Sequence, residues 1–140
     1  MFLVYIFIAT ACIISGMAFN GTINVFLDAP SLCIVFIPST VLTIASYGTT
    51  NIRRAFSLSI PEEEEDINVL NNTASSFGMY CIWFGLISTL IGGVKILALW
   101  NEIESASQVG PAASVMLLPL TYGLCAHALI AKPFAERWKT

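Results

Sequence analysis

Four hydroxyl residues sit where a polar group needs either a bond or a function. Ser88 and Thr89 lie in the middle of the apolar run 77–100. Ser114 and Thr121 lie on the run 111–131, seven residues apart and so on one face of a helix. In lipid such groups bond back to their own helix, bond across to a neighbour, or line a polar path. Singly, each reads as a packing hydroxyl; together they are consistent with a polar inner face, which does not by itself make a channel. Lys95, five residues before Trp100, is the strongly charged residue well inside a run. It either snorkels outward or lines the outer mouth of a pore. No Asp or Glu lies in the middle of a run, so any carboxylate that an ion path needs must come from a partner. His127 stands alone near the end of the last run and reads as interfacial. The four cysteines, Cys12, Cys33, Cys81 and Cys125, form no CxxC pair and read as small apolar residues rather than a zinc site or a disulfide framework. With no His–Asp or metal-ligating set, the chain is not expected to be an enzyme or to hold a cofactor.

These groups need helices in a membrane to position them. Of the 140 residues, 56% are hydrophobic and 11% charged, against about 25% charged in ordinary soluble domains. A soluble protein of that composition would expose aggregation-prone apolar surface, whereas lipid solvates it. The fold class is therefore all-α, a polytopic membrane domain over residues 1–140. Its expected spans are 2–19, 30–47, 77–100 and 111–131, each near the roughly 20 residues a bilayer requires. The first run carries no Lys or Arg ahead of its apolar stretch, so it reads as a retained span rather than a signal peptide. Net charge is −3 and no basic patch suggests nucleic acid as a partner.

Orientation follows from the basic residues, which favour the cytoplasmic side. Arg53 and Arg54 follow the second run; Lys132, Arg137 and Lys139 follow the fourth; the connectors 20–29 and 101–110 have none. Both termini and the segment 48–76 are thus expected in the cytoplasm. Ser59-Ile60-Pro61-Glu62 has the look of a helix start, with Pro at the first position and Glu62, Glu63, Glu64 and Glu65 in the first turn. A helix is expected to run from there into the third span, with the acidic run as its solvated terminus. Together with Arg53 and Arg54, those glutamates are the candidate cytoplasmic partner contact.

The second half resembles the MotA/TolQ/ExbB family, and its MotA branch in particular. The residues that carry the resemblance are Ser88-Thr89-Leu90-Ile91-Gly92 in the third span, Gly110-Pro111-Ala112 opening the fourth, Tyr122-Gly123 within it, and the closing Pro133-Phe134-Ala135-Glu136-Arg137. They run without interruption from Gly85 to Arg137. Phe26-Leu27-Asp28 followed by Ile34-Val35 is similar to the family's link between its first two spans. The resemblance implies a homopentamer in the bacterial inner membrane, surrounding two helices of a MotB-like single-span protein. That partner supplies the ion-binding aspartate, and flow of H+, or alternatively Na+, turns the pentamer about it. Thr89, Ser88, Ser114 and Thr121 would line the ion pathway, with Thr89 on the pore side. Pro133, Pro119, Tyr122 and Gly123 would serve coupling or hinge roles, and Lys95 the outer mouth. Membrane lipids are the remaining partner.

Three departures shape the functional reading. The cytoplasmic segment 48–76 is much shorter than MotA proteins carry. Where sodium-type members have Thr-Thr before Tyr-Gly, this chain has Pro119 and Leu120, which favours protons over sodium. The family's proline at the cytoplasmic start of the third span is Ile82 here. The leading expectation is a channel-forming subunit of an ion-driven rotary motor; the alternatives are a TolQ/ExbB-like envelope energiser and a non-conducting structural scaffold.

Overall fold

The computed structural model describes residues 2–19, 27–57, 64–100 and 106–137. All of its regular structure is helical. Helix α1 is Phe2–Phe19, α2 Ala29–Ala55, α3 Glu64–Ala98 and α4 Ala106–Cys125; a π-helical turn, Ala126–Ala131, leads into the short α5, Lys132–Arg137. By length and composition, α2, α3 and the α4–α5 rod are apolar enough to cross a membrane, and α1 contributes a shorter apolar stretch, Ile6–Gly16.

The start of α2 is set by side-chain chemistry. Asp28 accepts the backbone N–H of Ser31 at 3.2 Å, and the Ser31 hydroxyl donates to the same carboxylate oxygen. This satisfies a backbone donor that the first turn of a helix leaves without a partner. Pro30 follows in the first turn, where a missing N–H costs nothing. Pro38 sits further in and removes the donor that Ile34 C=O would otherwise have. Gly48 then interrupts α2 with φ 81° and ψ 158°, a conformation essentially reserved for glycine. A Cβ at Gly48 would meet no atom within 4 Å, so the constraint is on the backbone alone. Gly48→Ala is therefore expected to cost about 1–3 kcal/mol, whereas Gly16→Ala, in a regular and open stretch of α1, should gain about 0.5–1 kcal/mol. Unfolding in mild detergent would compare them; equal responses would show that the break at Gly48 is not required.

Helix α3 is the central element. Its 35 residues make a rod about 50 Å long, well beyond the roughly 30 Å of a hydrocarbon core. It packs against α2 on one side and α4 on the other, while α2 and α4 touch each other much less. One buried cluster, Val35, Cys81 and Ala126, joins α2, α3 and the π turn at mid-height; a second, Ala55, Leu70, Ala74 and Ala135, closes the Arg-rich end. Helix α1 has its one substantial contact, among the described elements, with the π turn. It leaves Val4, Phe7, Ile8 and Ile14 more than half exposed, as suits a helix facing lipid or another chain.

The π turn has a local cause. Pro133 has no N–H, and its ring would press on the carbonyl of Leu129 in a regular helix. The backbone widens just ahead of it, and the N–H of Lys132 donates to His127 C=O, five residues back.

Candidate functional site

The contact between α3 and α4 is built on glycines spaced by seven. Gly78, Gly85 and Gly92 fall on one face of α3, the spacing that keeps a seam in register between two helices crossing at a shallow angle. A Cβ at Gly85 would lie 2.6 Å from Pro119 C=O, one at Gly92 2.9 Å from Met116 Cγ, and one at Gly78 2.5 Å from His127 Nδ1. Gly123 reciprocates from α4: a Cβ there would stand 2.3 Å from Cys81 C=O. The two backbones are therefore in direct contact along the middle of the bundle.

Thr89 lies within this seam, between Gly85 and Gly92. It is 8% exposed, and its hydroxyl is buried without a hydrogen-bond partner. The other hydroxyls in comparable places bond their own helix: Ser39 to Val35 C=O at 2.6 Å, Thr43 to Ser39 C=O at 2.7 Å, Thr73 to Val69 C=O at 2.7 Å. On the facing helix Pro119 lacks the N–H that would bond Val115 C=O. An unsatisfied donor on α3 thus lies at the level of an under-bonded carbonyl on α4.

Ser114 and Thr121 point elsewhere, onto the more open face of α4 beside Leu117 and Leu124. Ser114 donates to Gly110 C=O at 2.9 Å and Thr121 to Leu117 C=O at 3.1 Å. Each hydroxyl has spent its proton on its own backbone, and the oxygen keeps acceptor capacity. Such a face can receive a proton-bearing group or a cation but cannot donate to one. Ser88 faces a third direction, into an open cleft of about 730 Å³ between α3, α4 and the start of α2. Lys95 lines the same cleft above it, and Asp28 and Ser31 line its α2 wall. The four hydroxyls expected on one pathway therefore occupy three environments within one chain: cleft, seam and open face.

The coupling candidates cluster around the seam. Pro119 and Gly123 are buried against α3. The Tyr122 hydroxyl accepts the backbone N–H of Asp28 at 3.2 Å, which ties the N-cap of α2 to α4. Pro133 follows the π turn. His127 turns one ring edge onto Gly78, and its Nδ1 is buried without a partner. On the Arg-rich side Arg54 pairs with Asp66 at 2.6 Å; both are more than a third exposed, so the pair contributes at most about 1 kcal/mol. Arg53 is exposed. Glu64 and Glu65 open α3, while Glu62 and Glu63 lie outside the described residues.

A sequence profile of the MotA/TolQ/ExbB proton channel family matches residues 36–140. The chain belongs to that family. The match takes in the whole of α3, α4, the π turn and α5, and most of α2, so the glycine seam, Thr89 and the open face of α4 all lie inside it. No individual curated protein matches the chain. Membership makes this a multi-pass membrane protein of the proton-channel type, and the three long apolar helices agree with that. It places the chain in a channel family rather than an enzyme family. The link from Asp28, which lies ahead of the matched residues, to Tyr122 within them is a contact that the sequence does not announce. Spacing in a single sequence carries no sign that a residue before α2 reaches a tyrosine on α4, although the Asp-x-Pro-Ser pattern at 28–31 does signal the cap itself.

Proposed function

We propose that the chain is the channel-forming subunit of an ion-motive-force-driven complex on the MotA pattern. It crosses the membrane four times, with α1 as the first span and both termini in the cytoplasm. Five copies surround two helices of a single-span partner, and protons move between the partner's aspartate and the surrounding ring. The observation that carries this reading is the family match over α3 and α4, taken with their lack of acid: from Ile67 to Trp100 and from Ala106 to Ala135 there is no Asp or Glu. A ring that conducts protons without its own mid-membrane carboxylate needs a partner to carry one. Ser114 and Thr121 suit that partner, since their oxygens accept from a protonated carboxyl. The two hydroxyl oxygens of that face are few for sodium, which requires several oxygen ligands, so the face fits protons better.

Mass measurement of the purified complex in detergent should give five copies of this chain. A monomer or a dimer would remove the architecture. Proton uptake by vesicles holding the chain with its partner, and none without the partner, is the functional counterpart. Pro119 supports the scaffold reading, because it takes the place of a polar residue and is buried against Gly85. Absence of uptake from a correctly assembled complex would select that reading.

The machine driven is smaller than a flagellar rotor. Beyond the spans, the Arg-rich side offers the residues of α2 after Gly48, the first turns of α3 and the six residues of α5. Torque transfer to a large rotor needs a rigid protruding surface carrying both charge signs. Expression of the chain with its partner in a stator-less motile cell should leave the cells non-swimming; robust swimming would show that the short segment suffices. An envelope partner, as TolQ and ExbB energise, is the better match in size.

A further inference from the structure

We infer that a phenylalanine-lined pocket at the Arg-rich end of the bundle holds one acyl chain of an anionic phospholipid, with the phosphate bound by Arg53. The pocket has a volume of about 420 Å³, within the range of small-ligand sites. Phe36 and Thr40 on α2, Ile52 and Phe56 beyond the break at Gly48, Phe77 on α3, Ile130 in the π turn and Phe134 on α5 form its walls. The break at Gly48 creates it: residues on both sides of that glycine face the same hollow. Phe56 packs edge-on to Phe77 with ring centroids 5.3 Å apart, and lies 5.5 Å from Phe134, which fixes the back wall.

The walls are almost wholly apolar and the hollow is open to the outside. Water gains little there, whereas an acyl chain is matched along the apolar walls. The charges next to it select the headgroup. Arg53 directly follows the pocket residue Ile52 in sequence, is exposed, and has no ion-pair partner among the described residues. Its neighbour Arg54 is neutralised by Asp66. Arg137 reaches the same rim, donating to Ser57 C=O at 3.4 Å. The first turn of α3 lies at the same end, and its Asp66 is taken up by Arg54, which leaves Arg53 as a cation without an ion-pair partner among the described residues there. An exposed arginine one residue from the wall of an apolar hollow suits a phosphate, which its planar fork can bind with two bonds. Orientation by the basic residues makes the leaflet the cytoplasmic one, where anionic lipids concentrate.

The test uses the full-length, delipidated complex in detergent, titrated with phosphatidylglycerol or phosphatidylcholine of identical acyl chains and read by native mass spectrometry. Phosphatidylglycerol should be retained about fivefold more strongly. Arg53→Gln should remove that preference while both lipids still bind, and Arg53→Lys should restore most of it. Thr40→Trp fills the hollow from its α2 wall and should reduce binding of both lipids; Ile130→Trp, at a rim position already 39% exposed, is the second filler should the first fail to fold. Equal retention of the two lipids by the unsubstituted protein would overturn the proposal. So would an undiminished preference in Arg53→Gln, or full binding in both tryptophan variants, which would place the chain elsewhere or leave the hollow to a neighbouring copy.

Discussion

Gly123→Ala is expected to eliminate the assembled protein, although it adds a single methyl group. The added Cβ would stand 2.3 Å from Cys81 C=O, 3.0 Å from Cys81 C and 3.2 Å from Ile82 Cα. All three are backbone atoms of α3, so no rotamer change relieves the overlap and the two helices must separate. Separation opens the contacts of Gly85 with Pro119 and Gly92 with Met116 together, because one rigid seam carries them. Overpacking a core costs about 1–3 kcal/mol when side chains can adjust and more when they cannot, so a loss of about 3 kcal/mol or more is expected. Gly93→Ala is the control. Its Cβ would meet Met116 Sδ at 3.3 Å, the far end of a flexible side chain that gives way easily. Size-exclusion profiles and thermal unfolding in detergent distinguish the two. A Gly123→Ala protein that elutes and unfolds like the parent would mean that α3 and α4 are not in backbone contact.

The seam also marks how far the sequence could be read. The apolar runs, the all-α class and the family were legible because lipid imposes long uninterrupted stretches, and because the family's short motifs lie on α3 and α4. The glycine seam was not among the expectations from the sequence, although Gly78, Gly85 and Gly92 recur every seven residues and such a repeat on one helix face has few other uses in a membrane. Which α4 residues oppose those glycines was not legible, because register between two helices depends on both surfaces at once. The hydroxyls show the same limit: Ser88 and Thr89 are adjacent, yet they point about 100° apart on a helix, one into the cleft and the other into the seam. The helix expected to lead into the third span is present from Glu64, while its expected first turn lies outside the described residues. The break at Gly48 was hidden because one glycine beside Tyr47 and Thr49 reads equally well as a span end. The π turn had a visible cause in Pro133, but a proline announces a disturbed turn without saying whether the helix will kink, end or widen.

Thr89→Val should separate two quantities that usually fall together, stability and ion flux. Valine keeps the shape of threonine and replaces its hydroxyl by a methyl group. The Thr89 hydroxyl is buried and has no hydrogen-bond partner within the chain, so the folded subunit gains nothing from it and bears the cost of burying it. Removing an unsatisfied buried polar group relieves about 1–3 kcal/mol. The subunit with Thr89→Val should therefore be as stable as the parent or more stable. Ion flux should move the other way. If the hydroxyl completes a proton's path once the partner helix is in place, losing it should slow uptake at least about tenfold, the equivalent of one ordinary hydrogen bond made only during transfer. Thr89→Ser keeps the hydroxyl and should retain flux, although it leaves a methyl-sized void. Thr43→Val is the complementary control: it removes a hydroxyl that already bonds Ser39 C=O and has no assigned part in the path, so flux should hold. Thermal unfolding and vesicle proton uptake on the same preparations give both readings. A Thr89→Val complex that is stabilised and still conducts at the parental rate would reduce Thr89 to a packing residue and leave the pathway to Ser114 and Thr121 on the open face of α4.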